Sequence, residues 1–229
     1  MSQKNPNVLI FSTEEDVAES LALYVSQLSA KTIEEKGSFS VVLSGGTLIQ
    51  TIRKLTLSPY KETVNWSKWL IFWVSIPKDH VYPINYTSSA EAVAKDYEAR
   101  LRNLVAEKVL PLSSTGFPKF DLMLLGVGHN GHVASLFPNR PQRYDLKDWV
   151  TYITDSPKLP PARITFTFPV INSSANTAMV VTDKAEADAI SIALSPVKIL
   201  PPLPCAEVKA ESLTWFLDKD AASKLPINA

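Results

Sequence analysis

Residues 120–138, FDLMLLGVGHNGHVASLFP, constrain this chain more than any other stretch. Asp121 to Leu125 is a short continuous apolar run, the pattern of a central parallel strand covered on both faces. Gly126, Gly128 and Gly131 follow at once, a spacing that lets the backbone turn sharply and bring its N–H groups close to a ligand. Open α/β sheets bind their ligands at this carboxyl end of a strand. His132 then stands where a following helix would begin. A plain strand-to-helix turn would use the same glycines, so the turn alone does not assign a function.

The rest of the chain supplies more strands and helices in alternation. Val8 to Phe11 reads as a strand, and Thr13 as the cap of a helix with Glu14, Glu15 and Asp16 in its first turn. Val17, Leu21, Tyr24, Val25 and Leu28 share one face, and Gly37 ends the helix after Lys36. Phe39 to Leu43 is a second strand that runs into Ser44-Gly45-Gly46-Thr47, with Leu48, Ile49, Ile52 and Leu55 marking a helix beyond it. A strand, two glycines between hydroxyls and a helix N-terminus aim N–H donors at one point, which makes an anion site. The Walker spacing and its lysine are missing. Trp69 to Val74 is a third strand, followed by a loop over Ser75–Asn85 and a helix opened by Ser89. Further strands are expected at Trp149–Ile153, Arg163–Phe168, Met179–Val181 and, as a last edge strand, Leu213–Leu217, with a helix over Lys184–Leu194. The pattern predicts a single α/β domain over 1–229: an open, mostly parallel sheet with helices on both faces.

Composition narrows the partners. The 23 basic and 23 acidic residues cancel, so no global field recruits nucleic acid or an anionic membrane, and an anionic ligand must be held by local groups. The lone Cys205 permits no internal disulfide and fits a reducing compartment. MSQKNPNVLIF reads as neither a transit peptide nor a signal core, which makes the cytosol the expectation. Gly126, Gly128 and Gly131 also satisfy the dinucleotide spacing, with Asp155 as a ribose ligand, but Pro138 cuts the following helix after about two turns. His129 and His132 lack a third metal ligand nearby, and no G-x-S-x-G supports a serine nucleophile. No metal or cofactor is expected.

VVLSGGTL, FDLMLLGVGHNGHVASLFP and PARITFTFPVINSS, in that order, resemble the 6-phosphogluconolactonase family and its plant-like members in particular; the likeness extends to the terminal LTWFLDKDAASKL. The resemblance implies a fold shared with glucosamine-6-phosphate deaminase and ribose-5-phosphate isomerase. It implies hydrolysis of 6-phosphoglucono-δ-lactone to 6-phosphogluconate, in the oxidative pentose phosphate pathway, without metal or cofactor. Opening a lactone needs a base for water, donors for the oxyanion and a proton for the leaving oxygen. His132 matches the family's catalytic histidine, with Asn130 where the family usually has Asp, so Asn130 can orient an imidazole but cannot supply a negative charge. By resemblance, Ser44, Gly45, Gly46, Thr47 and Gly131 contact the substrate, Arg163 matches the arginine of a Pro-Pro-Glu-Arg-Ile segment, and Lys184 matches a phosphate-contacting lysine.

One departure is larger. After strand three the family has Asp-Glu-Arg-x-Val-Pro and a helix with Ser-Asn-Tyr, whereas here Phe72-Trp73 abuts the later loop VSIPKDHVY. A block carrying an active-site arginine is missing; Lys78 or His80 could enter the vacated space, while the plainer reading makes both of them solvated loop residues. A phosphosugar-binding homologue without turnover, and an isomerase or deaminase on the same fold, are the alternative functions.

Overall fold

The computed structural model describes residues 5–77, 89–197 and 199–226, with the side chains of 75–77 left out of the description. Six parallel strands form the main sheet: β1 (Asn7–Phe11), β2 (Phe39–Leu43), β3 (Trp69–Trp73), β5 (Leu122–Gly126), β8 (Asn176–Val181) and β9 (Ser212–Asp218). Their order is β1-β9-β8-β5-β2-β3. A second, antiparallel sheet has the order β4-β7-β6, from β4 (Ser75–Pro77), β7 (Arg163–Phe166) and β6 (Val150–Ile153).

The helices are α1 (Glu14–Lys36), α2 (Leu48–Ile52), α3 (Tyr60–Thr63), α4 (Ala90–Ala106), α5 (Phe168–Asn172) and α6 (Ala187–Leu194). Helix α1 follows its local signals. The Thr13 hydroxyl accepts from the Asp16 amide at 3.1 Å, acids fill the first turn, and Gly37 at φ 82° closes the end. The sheet separates two apolar clusters because neighbouring residues of a strand face opposite ways. Leu122 and Leu124 of β5 pack with Val17, Leu21 and Val25 of α1. Met123 and Leu125 pack on the other face with Val93 and Leu101 of α4, Ile190 of α6 and Ile164 and Phe166 of the small sheet. Helix α4 also anchors β6: Glu98 Oε2 accepts from the amides of Trp149 (2.8 Å) and Val150 (3.1 Å), and the Arg102 guanidinium lies 4.1 Å from the Trp149 ring centre.

Four local expectations need correction. The helix expected from Leu48 through Leu55 stops at Ile52 and continues as a 3-10 turn over Arg53–Thr56; Thr47 already has helical dihedrals and gives no side-chain cap. No helix follows the glycine turn, because Ala134 sits at φ 53° and Val133 makes bridges to both Val127 and Leu136, folding the segment back on itself. Phe168 and Pro169 begin α5 instead of ending a strand, proline being accepted in a first helical turn. Finally, β9 is no edge strand: it pairs with β1 on one side and β8 on the other.

Candidate active site

Strand order decides where a ligand can sit. From β2 the chain steps outward to β3, while from β5 it steps the opposite way through β8 to β9. The crevice beyond the carboxyl ends of β2 and β5 is therefore the point at which the winding reverses, the usual ligand position in such a sheet. The Ser44–Thr47 loop leaves β2 there, the 127–132 turn leaves β5, and the Lys184 turn leaves β8, the next strand over. The structure thus brings Ser44, Gly45, Gly46, Thr47, Asn130, Gly131, His132 and Lys184 to one edge of the sheet.

His132 is held by its own turn. The Gly128 amide donates to the His132 carbonyl at 3.0 Å and the Gly131 amide to the Gly128 carbonyl at 2.7 Å. The imidazole lies so close over Gly128 that a Cβ there would stand 1.9 Å from His132 Cε1, so no other residue fits. The ring also stacks on Phe137, centroids 4.6 Å apart. Asn130 Oδ1 accepts the His132 backbone N–H at 3.2 Å and also faces His132 Nδ1 at 2.6 Å. An atom that takes a bond from an amide N–H is an acceptor, so the Nδ1 beside it carries the proton. The proton on Nδ1 leaves Nε2 with its lone pair. The ring is 9% exposed. Burial lowers the imidazole pKa to about 4, helped by the positive charges of Lys158, His129 and Arg163, so at neutral pH the ring is an uncharged base.

The anion loop is more open. Ser44 is buried and its amide donates to the Leu124 carbonyl at 3.0 Å, tying the loop to β5, whereas Gly45, Gly46 and Thr47 are exposed. A Cβ built on Gly45 meets nothing within 4 Å, and its φ is not positive, so neither packing nor backbone geometry requires glycine there. Gly131 is different: its φ is 76°, its amide is used inside the turn, and its carbonyl accepts from Cys205 N at 2.9 Å. Gly131 shapes the turn, and its N–H is not aimed at a ligand.

Arg163 stands at the start of β7, beside the 154–162 hairpin. Its Nε donates to the Pro160 carbonyl (3.0 Å), and its Nη2 donates to the carbonyls of Lys158 (3.2 Å) and Leu159 (2.5 Å). Among the described residues, no bond engages Nη1. Asp155, the residue suggested for a ribose, pairs instead with Arg140. Lys78 and His80 lie outside the described residues. Among those described, no group of three His, Cys, Asp or Glu residues is placed to hold a metal.

Two groups near the site carried no sequence signal. Lys158 and Glu186 enter through long-range folding alone. Glu186, in the turn after β8, has a buried Oε2 with no hydrogen-bond partner among the described residues. Burial, with the Asp183 carboxylate close by, raises its pKa. A hydroxyl-bearing ligand can supply the donor that this oxygen lacks.

Residues 12–75 and 74–215 match the family of glucosamine-6-phosphate isomerases/6-phosphogluconolactonase. The chain belongs to this family. Its relatives include a rice protein (Oryza sativa subsp. indica) named "Probable 6-phosphogluconolactonase 4, chloroplastic", 51% identical over 247 positions that cover 95% of this chain and 76% of the relative. "Probable 6-phosphogluconolactonase 5" of Arabidopsis thaliana is 43% identical over 249 positions, covering 95% and 98%. Among solved structures, 6-phosphogluconolactonase from Leishmania guyanensis superposes with a TM-score of 0.79 at 19% identity, over 96% of this chain and 99% of that one, a likeness of fold. The 95% of this chain that aligns is about 218 of its 229 residues, so about 30 of the 247 or 249 aligned positions have no counterpart here. The family match breaks at Val74–Ser75, at the junction where the sequence shows a missing block.

Proposed function

We propose that this chain hydrolyses 6-phosphoglucono-1,5-lactone to 6-phosphogluconate. The observation that carries this reading is the pinned imidazole: Asn130 holds the proton on Nδ1, so Nε2 of His132 is an unprotonated base at the mouth of the crevice. Nε2 takes a proton from water as the water oxygen attacks the lactone carbonyl carbon. The tetrahedral intermediate collapses by breaking the bond from that carbon to the ring oxygen, and the imidazolium returns its proton to that oxygen. His132 therefore ends each cycle neutral, and no cofactor enters the balance.

The phosphate is held by the Ser44–Thr47 loop, with Nη1 of Arg163 and the ammonium of Lys184 as cations. Open space over Gly45 supports close approach of a ligand to the loop backbone. Glu186 accepts from a sugar hydroxyl. The names of the relatives favour the same chemistry. A lactonase assay on freshly made substrate, corrected for spontaneous hydrolysis, tests it: His132→Ala lowers kcat by on the order of 10²-fold or more with the fold retained. An unchanged rate removes His132 from the mechanism.

A second reading, a phosphosugar-binding protein with little turnover, is favoured by the missing block and by Asn130. Binding of 6-phosphogluconate without lactone consumption would establish it. We place the protein in the cytosol; relatives with and without a chloroplast label exist, and imaging the full chain fused to a fluorescent protein tests the placement.

A further inference from the structure

We propose that Arg143, a buried cation that the catalytic steps do not use, is a positioning residue for His132. By clamping the 202–207 segment it holds the Gly131–His132 peptide unit in place, and with it the tautomer of the imidazole. The inference deepens the proposed function and rests on it for the reaction that His132 serves.

The Gly131 carbonyl and the His132 amide belong to one planar peptide unit, so whatever orients one end orients the other. Both ends are bonded. The His132 N–H donates to Asn130 Oδ1 at 3.2 Å, and the same oxygen faces Nδ1 at 2.6 Å. The Gly131 carbonyl accepts from the Cys205 N–H at 2.9 Å. Leu203 fills the space beside Gly131, where a Cβ would stand 2.8 Å from its Cδ1. The catalytic turn is therefore seated on a short 3-10 turn, Pro204–Glu207, whose Ala206 amide returns to the Leu203 carbonyl at 2.9 Å. If that seat shifts, the peptide unit is free to rotate and Asn130 loses the amide that keeps its oxygen turned toward Nδ1. An Asn130 side chain that flips presents NH2 to Nδ1 instead, which moves the ring proton to Nε2 and removes the base.

Arg143 grips the seat at both ends. Its Nη2 donates to the Pro202 carbonyl, ahead of the 3-10 turn, and its Nε donates to Glu207 Oε2 at 2.6 Å, at the end of it. Asn172 of α5 steadies the same residue, its Nδ2 donating to the Glu207 carbonyl at 3.1 Å. The Arg143 side chain is 1% exposed. Burying a guanidinium costs desolvation, and an apolar replacement of similar volume is often as stable, so stability alone is a weak reason for this pair. Position is a better one. A planar fork reaches two points of one loop from a fixed base, which the single ammonium of a lysine does not. That base, the 3-10 turn Pro141–Tyr144, lies in the segment that leaves His132 and is tied by Arg140 to Asp155 of the β6–β7 hairpin. The chain leaving the catalytic turn thus comes back, through Arg143, Pro202 and Cys205, to fix Gly131.

The test uses the full chain with Arg143→Met, Arg143→Lys and Leu203→Ala, the last removing the support beside Gly131 while leaving the ion pair. Nitrogen NMR of the His132 ring in the ligand-free protein needs no turnover, so it separates this inference from the lactonase reading. The unmodified chain should show the Nδ1-protonated tautomer, and Arg143→Met and Leu203→Ala should mix in the Nε2-protonated one. Both should lower kcat on the order of 10-fold to 10²-fold, as a small misplacement of a catalytic group does. Affinity for 6-phosphogluconate should change by less than about twofold, since an interaction that serves only the transition state is what is lost. Arg143→Lys should recover part of the loss by keeping the pair with Glu207. Asp121→Ala, destabilising at the opposite end of β5, is the control for stability and should leave the tautomer as it is. If Arg143→Met does not fold, Arg143→Lys and Leu203→Ala carry the same comparison. An unchanged tautomer in the folded variants, or a fall in kcat no larger than their unfolded fraction explains, would overturn the inference. An unmodified chain that does not hydrolyse the lactone would sink the hydrolytic reading and leave the NMR comparison to decide the role of Arg143.

Discussion

Replacing Asn130 by Asp puts a negative charge where the structure has a neutral acceptor, 2.6 Å from Nδ1 of His132. The charge centres of a carboxylate and an imidazolium in such contact are about 4 Å apart, worth about 4 kcal/mol at an effective dielectric near 20. Full expression of that energy would raise the imidazole pKa by about 3 units. Desolvation of the new carboxylate takes back part of it, leaving a rise of about 2 units. The His132 pKa should move from about 4 to about 6. At pH 8 the ring is still neutral and still a base, while the imidazolium formed as water attacks is now stabilised. The expected result is a kcat gain on the order of 10-fold at pH 8, with the acid limb of kcat/KM displaced upward by about 2 units. Lactone hydrolysis from pH 4 to 9 and an NMR titration of the ring measure both. An unmoved ring pKa would show that Asn130 does not face Nδ1 in solution. A raised pKa without a faster reaction would show that imidazolium formation does not limit turnover.

The remaining predictions address the free base, the loop, the frame and the lost block. In the unmodified chain kcat/KM should hold down to about pH 4 to 5, since the folded pKa of His132 is about 4 against 6.5 unperturbed. The same depression means that the unfolded chain binds a proton that the folded chain refuses, so stability is full above about pH 6.5 and falls toward pH 4. The loss, at most about 3 kcal/mol, should disappear from the melting curves of His132→Gln. Gly45→Ala should raise KM several-fold with an unchanged Tm, because the added methyl meets open space in the protein and only a ligand in the complex. Asp121→Ala should destabilise by about 2 to 4 kcal/mol in urea while sparing KM. It strands Ser40 N, Ser40 Oγ and Lys36 at the amino end of β5, opposite the site. Inserting the family's missing block after strand three should raise kcat/KM substantially; no gain would mean that the block does not limit this chain.

What could be read from the residues was what local chemistry decides. Thr13, the acids behind it and Gly37 bound α1 because caps act within one turn. The runs at Phe39, Leu122 and Asn176 are apolar because both faces of those strands are covered. The second sheet was not legible. Its strand β4 has only three residues, and nothing within Arg163–Phe166 says whether it pairs with the main sheet or apart from it. β9 looked like an edge for being last in the chain, although chain order does not set order in a parallel sheet. The glycine turn and His132 were visible because a motif compresses a tertiary arrangement into adjacent positions. Lys158 was not, since a lysine among prolines has no periodicity, and its place depends on Arg140, Asp155, Thr165 and Arg163 meeting across the fold.

The missing block explains why the fold and the activity can part company. Strand β3 and strand β4 are separated by Val74 alone, which is 1% exposed. Its amide donates to the Leu43 carbonyl at 3.0 Å, in the main sheet, and its carbonyl accepts from Phe166 at 2.8 Å, in the small one. One residue thus joins the two sheets, and α4 still lies between β3 and β5 in the chain, so the parallel connection closes. The outer edge of β3, the end strand of the main sheet, is also largely managed. Tyr97 Oη accepts from Trp73 N (3.3 Å) and donates to Trp73 O (3.1 Å), and Trp69 N is taken by the Trp66 carbonyl. Ile71 and Trp73 keep exposed side chains, at 53% and 40%, but the ladder offers a neighbouring chain little to pair with. What the junction at Val74 cannot provide is a loop beyond the carboxyl end of β3, beside the Ser44–Thr47 loop. Donors from such a loop act on charge that develops during the reaction, whereas the resting phosphate needs only fixed cations. Removal of the block should therefore depress kcat more than it weakens 6-phosphogluconate, and the ratio of those two losses measures how far the binding half of the site is independent of the catalytic half.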